Sequence, residues 1–304
     1  MEGGSRRAIV AALGANLGIA IAKFVGFLLT GAASMLAEAV HSVADTSNQG
    51  LLLLGGARAK KGPTEMHPFG HGRERYFWGF VVALVIFSLG SLFAMVEGIE
   101  KIIHPHEVES AMTAVVILVV AVVLEAFSFR TAVKESRHGK EQAGSWWRFI
   151  RTAKVPELPV VLLEDSGALI GLTLALAGVG LAEATGNPRF DALGSVGIGV
   201  LLGAIAVVLV IEMKSLLIGE AATTEQVEAI RSAIEGDGKV NRLIHMRTQH
   251  LGPDELLVGV KIEFDRRLGF EDLADAINDV EKRIRDVVPS ARMIYVEPDV
   301  ARPA

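Results

Sequence analysis

The chain has no cysteine among its 304 residues. Disulfides and thiolate ligands are therefore excluded, and any metal it handles must sit on His, Asp, Glu, Asn or backbone oxygen. It also lacks a basic patch. Its 30 Lys and Arg are outnumbered by 35 Asp and Glu, for a formal net charge of −5, so nothing argues for a nucleic-acid partner. No His-Glu-x-x-His spacing occurs, which counts against a metallopeptidase-like enzyme. The first apolar run has no small-residue cleavage site and no long Arg/Ser-rich leader before it. That favours a retained first span and a prokaryotic plasma (inner) membrane as the location.

What the chain has in abundance is hydrophobicity: 51% of its residues are apolar. Six runs, 8–30, 33–57, 76–97, 111–131, 158–182 and 190–213, approach the ~20 residues that cross a bilayer. They predict an all-α membrane domain of six helices over residues 1–213, with membrane lipid as its surroundings. Cations collect in alternate segments: Arg6 and Arg7; Arg58, Lys60, Lys61, Arg73 and Arg75; then Lys134, Arg137, Lys140, Arg148, Arg151 and Lys154. The other connections hold only Lys101 and Arg189. By the positive-inside rule, both termini are expected in the cytoplasm.

The character changes near Lys214. Thr223-x-x-Gln226 is a capping box that opens a helix to about Glu235. Residues 240–250 read as a strand, and Leu251-Gly252-Pro253-Asp254 as a turn. Val258, Val260, Ile262 and Phe264 alternate with Gly259, Lys261 and Glu263 in a half-buried strand. Leu273, Ile277, Val280 and Ile284 mark a second amphipathic helix, and Arg292 to Val296 a last strand. The order αββαβ predicts a cytoplasmic α+β ferredoxin-like domain over 214–304. So small a domain calls for support, which points to a homodimer. The connection 132–157 is long, and Trp146, Trp147, Phe149 and Ile150 beside Arg148 and Arg151 read as an interfacial segment, aromatics at headgroup depth.

The chemistry concentrates in the second span. Glu38, His41, Asp45, Asn48 and Gln49 recur at helical spacing within an otherwise apolar stretch. Ionisable groups in mid-membrane are costly and mark function. A neutral imidazole and a carboxylate one turn apart form half of a tetrahedral divalent-metal site. Protons compete with metal for the imidazole, which is a physical basis for proton-for-metal exchange. The fifth span adds Glu164-Asp165 between apolar runs. Adjacent helical residues point about 100° apart, so Asp165 reaches the ion if this helix faces the second. Glu164 either reaches it with some twist or hydrogen-bonds another helix. His67-Pro68-Phe69-Gly70-His71, with Glu65 near, makes a second candidate metal site, or else a turn with solvated histidines. His104-Pro105-His106-Glu107 and Glu109 read as a solvated loop. Asn16, Lys23, Glu97 and Glu125 read as helix–helix glue or snorkelling groups, and Asp191 as a helix N-terminal carboxylate.

These spans, the membranous His-x-x-x-Asp and the cytoplasmic tail together resemble the cation diffusion facilitator family. The likeness runs along the chain in Thr30-Gly31-x-x-Ser34, Glu38-Ala39-x-His41-Ser42-x-x-Asp45, His67-Pro68-Phe69-Gly70-His71-Gly72, Glu97-Gly98-Ile99, Asp191, Arg247-Thr248, Gly252-Pro253 and Glu297-Pro298. Ser42 to Gly50 and Leu162 to Ser166 are most similar to the branch that includes the vertebrate mitochondrial zinc transporter. The resemblance implies a homodimer that exports a divalent metal by proton antiport, with alternating access around a midplane site. His41, Asp45 and Asp165 match three of the family's four ligand positions. The fourth, one turn before Asp165, is Val161 here, so Glu164, Asn48, Gln49 or a water completes the shell. The family's loop site resembles His67 and His71, with Thr64 and Glu65 where an aspartate is usual. In the tail, His245 and Glu297 match ligand positions. Zinc is the expected cargo, and an oxygen-richer shell widens the choice to manganese, iron(II) or cobalt. A membrane-bound metal sensor and an intramembrane metalloenzyme are the competing readings.

Overall fold

A computed structural model describes residues 10, 13–14, 16–25, 28, 33–105 and 111–300, apart from the side chains of 33–41, 45, 85–87 and 111. The chain divides into two compact units. The first comprises Met1–Ala57 and Arg75–Lys214, and the second Arg58–Glu74 and Ser215–Ala304. The segment joining the second and third helices thus belongs to the unit built from the tail.

The first unit is helical. Its described elements are α1 (Asn16–Val25), α2 (Ala33–Arg58), α3 (Glu74–Ile103), α4 (Ala111–Ala143), α5 (Trp146–Thr152), α6 (Glu157–Thr185) and α7 (Arg189–Ile218). Four of them, α3, α4, α6 and α7, are long and apolar enough to cross a membrane. At 26 residues α2 has the length, but its polar stripe dilutes its hydropathy. Within α3, Val82–Phe87 forms a wide π turn. One core joins Leu52, Val82, Ala83, Ala132, Phe149, Val160 to Leu162, Leu202, Ile205, Ala206 and Leu209. A smaller cluster joins Ile19, Leu118, Ala121, Leu172 and Val179.

Small residues let these helices approach closely, as in membrane bundles generally. A Cβ on Gly98 would lie 2.8 Å from the Val196 nitrogen and 3.0 Å from the Ala192 carbonyl of α7. One on Gly199 would meet the Met95 nitrogen at 2.9 Å, beside the point where the Ser91 hydroxyl donates to the Gly199 carbonyl.

The connection 132–157 differs from its sequence reading. Residues up to Ala143 continue α4, because the pattern of small and apolar residues carries on past the span itself. The rest is largely α5, capped by the Ser145 hydroxyl, which accepts from the Arg148 N–H. Trp146 and Trp147 are exposed, but Phe149 and Ile150 are buried in the main core, where Phe149 packs against Gly139. Those two side chains are core rather than headgroup-level anchors. The helical period of α5 divides its four large residues between two faces.

The second unit contains α8 (Thr224–Glu235), β1 (Val240–Gly252), β2 (Glu255–Phe264), α9 (Phe270–Val287) and β3 (Met293–Pro298). The sheet order is β1-β2-β3, with β1 antiparallel and β3 parallel to β2. Leu256, Val258, Val260, Ile262 and Phe264 all point to one face. There they meet Ile230 and Ile234 of α8 and Ala276, Val280 and Ile284 of α9. The capping box at Thr223 is present, with the Thr223 hydroxyl accepting from Gln226 N–H and the Gln226 side chain accepting from Thr223 N–H. Arg283 holds the end of α8, donating to the Ala233 carbonyl at 2.9 Å and pairing with Asp237 at 2.6 Å. Burial would raise the Asp237 pKa. The Lys239 N–H and the Arg283 guanidinium outweigh it and hold the carboxyl below the usual carboxylate value.

In the same unit, Gly72 meets Gly252 edge to edge. A Cβ on Gly72 would fall 2.8 Å from the Leu251 carbonyl, and one on Gly252 would fall 2.9 Å from Gly72 Cα. Only two glycines permit this contact, and it seats the 58–74 segment on the β1–β2 turn.

Candidate ion-binding site

Gln49, at the end of the α2 stripe, meets the acidic pair of α6 in the interior of the helical unit. Asn48 is 1% exposed, and Gln49 and Asp165 are fully buried; Glu164 is also buried. The Gln49 amide donates to Glu164 Oε1 at 2.8 Å. The Ser128 hydroxyl of α4 donates to Asp165 Oδ2 at 2.9 Å. Glu164 of α6 thus meets α2 through Gln49, and Asp165 meets α4 through Ser128. Val161, one turn earlier, is buried in the apolar core and offers no ligand.

Among the described residues, neither amide atom of Asn48 has a hydrogen-bond partner. A buried primary amide in that state loses about 1–3 kcal/mol for each unmet group. Asp45 and His41 lie on α2 one and two turns before Gln49, but their side chains, with that of Glu38, lie outside the described residues. One turn from Asp45, the buried Lys23 of α1 donates to the Ser42 hydroxyl at 3.0 Å. Chemically, these contacts gather buried carboxylate and amide groups, oxygen donors of the kind a hard or borderline divalent cation takes.

Elsewhere the candidates are dispersed. His67 and His71 approach each other, ring centroids 4.6 Å apart, and line a cleft of about 520 Å³ with Phe69, Glu74, Gln249 and Leu251. Thr64 organises the turn, its hydroxyl accepting from His67 N–H at 3.0 Å. Glu65 is exposed. Among the described residues, no three His, Asp or Glu side chains are grouped to hold a metal. His245 is exposed on β1 opposite Lys261, whose ammonium pairs with Glu297 and Asp299. His106, Glu107 and Glu109 lie outside the described residues. Asp191, in the first turn of α7, pairs with Lys101 at 3.4 Å, and Lys101 also pairs with Glu97 at 3.2 Å.

Sequence reasoning overlooked two features. One is Ser128, a small hydroxyl in a long helix. The other is the Arg75–Glu157 ion pair between the starts of α3 and α6, at 2.5 and 2.8 Å. A carboxylate just before the fifth apolar run was the only available signal for the latter.

Residues 9–218 match the model of the cation efflux transmembrane domain. The chain belongs to the cation diffusion facilitator family, whose members are transporters and not enzymes. It is similar to the human "Proton-coupled zinc antiporter SLC30A9, mitochondrial", with 34% identity over 247 residues, 81% of this chain and 44% of that protein. It is also similar to "Metal tolerance protein C4" of Arabidopsis thaliana, 30% identical over 265 residues, 87% of this chain and 58% of the relative. The magnetosome protein MamB of Paramagnetospirillum magneticum is 23% identical over 294 residues, 95% of this chain and 93% of MamB. The chain spans less than half the length of the human relative it matches.

Proposed function

We propose that this protein exports a divalent metal ion, zinc foremost, in exchange for protons, by alternating access around a site on α2 and α6. The supporting observation is the buried Gln49–Glu164 contact, which joins the polar stripe of α2 to the acidic pair of α6 inside apolar helices. Charge and amide groups so placed are expensive and serve the passage of an ion. His41, Asp45 and Asp165 are the ligands of this reading. Asn48 is the oxygen donor that stands in for the ligand missing at Val161, since its amide is buried without a hydrogen-bond partner among the described residues. Glu164 contributes negative charge beside them. Similarity to a proton-coupled zinc antiporter supports both the cargo and the counter-ion.

In this reading six helices span the membrane, both termini are cytoplasmic, and the membrane is a prokaryotic plasma membrane. The tail is a ferredoxin-like domain through which two copies pair, and His67, His71, Glu65 and His245 are secondary metal positions. The oxygen-rich shell makes manganese, iron(II) and cobalt the competing substrates.

The test is uptake by proteoliposomes with a pH gradient and an internal metal-sensitive dye, comparing the four metals. Saturable, gradient-driven zinc uptake, lost in His41→Ala and Asp45→Ala, is expected. Wild-type flux in both variants would sink the proposal. Metal binding by folded protein with no flux of any ion would favour the sensor.

A further inference from the structure

The acidic pair of α6 is gripped from two sides. Gln49 reaches Glu164 from α2, and Ser128 reaches Asp165 from α4, both from buried positions. Because neighbouring helical residues diverge by about 100°, the two carboxylates leave α6 in different directions, and each meets a donor on a separate helix. Both donors are electrically neutral. A Lys or Arg in either place would orient the carboxylate equally well but cancel its charge, and a cation arriving there would find nothing to bind. An amide N–H or a hydroxyl takes one lone pair and leaves the negative charge in place. Such donors also fix the side-chain rotamer before the ion arrives, so less freedom is lost on binding. Hydrogen bonds of this outer kind commonly alter metal affinity by about 10–100-fold.

We infer that Ser128 and Gln49 are positioning residues for the transported ion. Without touching it, they hold the carboxylates of Asp165 and Glu164 in a set geometry, and so govern affinity and the discrimination between zinc and manganese. Small, geometry-demanding ions are the more sensitive to displaced oxygens. The inference rests on the reading that the α6 carboxylates face the ion.

The experiment measures zinc and manganese uptake by proteoliposomes of the full chain, for wild type, Ser128→Ala, Ser128→Thr, Gln49→Leu and Asp165→Asn. Equilibrium zinc titration and thermal melting of each purified variant run alongside. Ser128→Ala is expected to raise the zinc KM about 10-fold, at the lower end of the outer-donor range. The zinc-to-manganese KM ratio should change and the maximal rate should stay near that of wild type. Ser128→Thr, which keeps the hydroxyl, should recover both values, and Gln49→Leu should shift the ratio as well. If Asp165→Asn abolishes flux while Ser128→Ala and Gln49→Leu keep the wild-type KM and ratio, the inference is overturned and the proposed site stands. A uniform loss of rate and melting temperature that Thr does not rescue also overturns it, because that is helix packing alone. Wild-type flux in Asp165→Asn would remove the underlying reading itself.

Discussion

The Arg75–Glu157 pair sets a sharp energetic test of the helical unit. Two parallel N–H donors of one guanidinium meet both oxygens of one carboxylate, and the side chains are 14% and 4% exposed. At a charge separation of about 4 Å and an effective dielectric constant near 20, their attraction is about 4 kcal/mol. Removing one partner breaks a pair held where water has little access, a loss of about 3–5 kcal/mol. In a unit of this size 1 kcal/mol moves the melting point by about 2–4 °C. Arg75→Met or Glu157→Met should therefore lower the melting temperature of the full chain in detergent by about 6–20 °C. The double variant Arg75→Met/Glu157→Met removes both charges of the pair and should recover most of that loss, since apolar replacement of a whole buried pair is often close to neutral. The assay is a thermal-shift series on purified protein at fixed detergent and salt. Single variants that melt with the wild type would refute the reasoning, as would a double variant whose loss equals the sum of the singles.

Gly98→Ala places a methyl group against the backbone of α7, where neither the Val196 nitrogen nor the Ala192 carbonyl can step aside. Overpacking of this kind costs about 1–3 kcal/mol, read as a lower melting temperature and weaker flux. Gly139→Ala drives a Cβ to 2.5 Å from the Phe149 ring. It should expose α5, which faster proteolysis between α4 and α6 would report. In the tail, the depressed Asp237 pKa means that its contribution to stability is complete above its unfolded value near 4. That contribution is lost as the pH falls through the lower, folded value. Amide exchange around 233–240 should accelerate on acidification below pH ~4, and Asp237→Asn should exchange fast throughout; equal pH dependence in both would contradict the assignment.

Some of this architecture could be read from the residues because short-range rules govern it. β2 alternates because one face of a sheet is covered by helices and the other is not. The capping box declares itself because its partners sit three residues apart. The paired acids of α6 stood out because charge in an apolar run has no cheap explanation. What escaped depends on distant parts of the chain. Arg75 and Glu157 are 82 residues apart, and nothing local announces their meeting. Ser128 is one small hydroxyl in a long helix, and only the side chain it faces gives it meaning. The division of α5 into exposed tryptophans and a buried Phe149 required knowing that Gly139 leaves room for a ring.

The Gly72–Gly252 contact has a mechanical consequence. Because the 58–74 segment is seated on the tail unit, the chain passes between the two units at three places: Ala57–Arg58, Glu74–Arg75 and Lys214–Ser215. Those connections lie at the ends of α2, α3 and α7, and α2 is the helix that carries His41 and Asp45. Filling the glycine contact with a side chain would unseat the 58–74 segment from the β1–β2 turn without breaking a covalent bond.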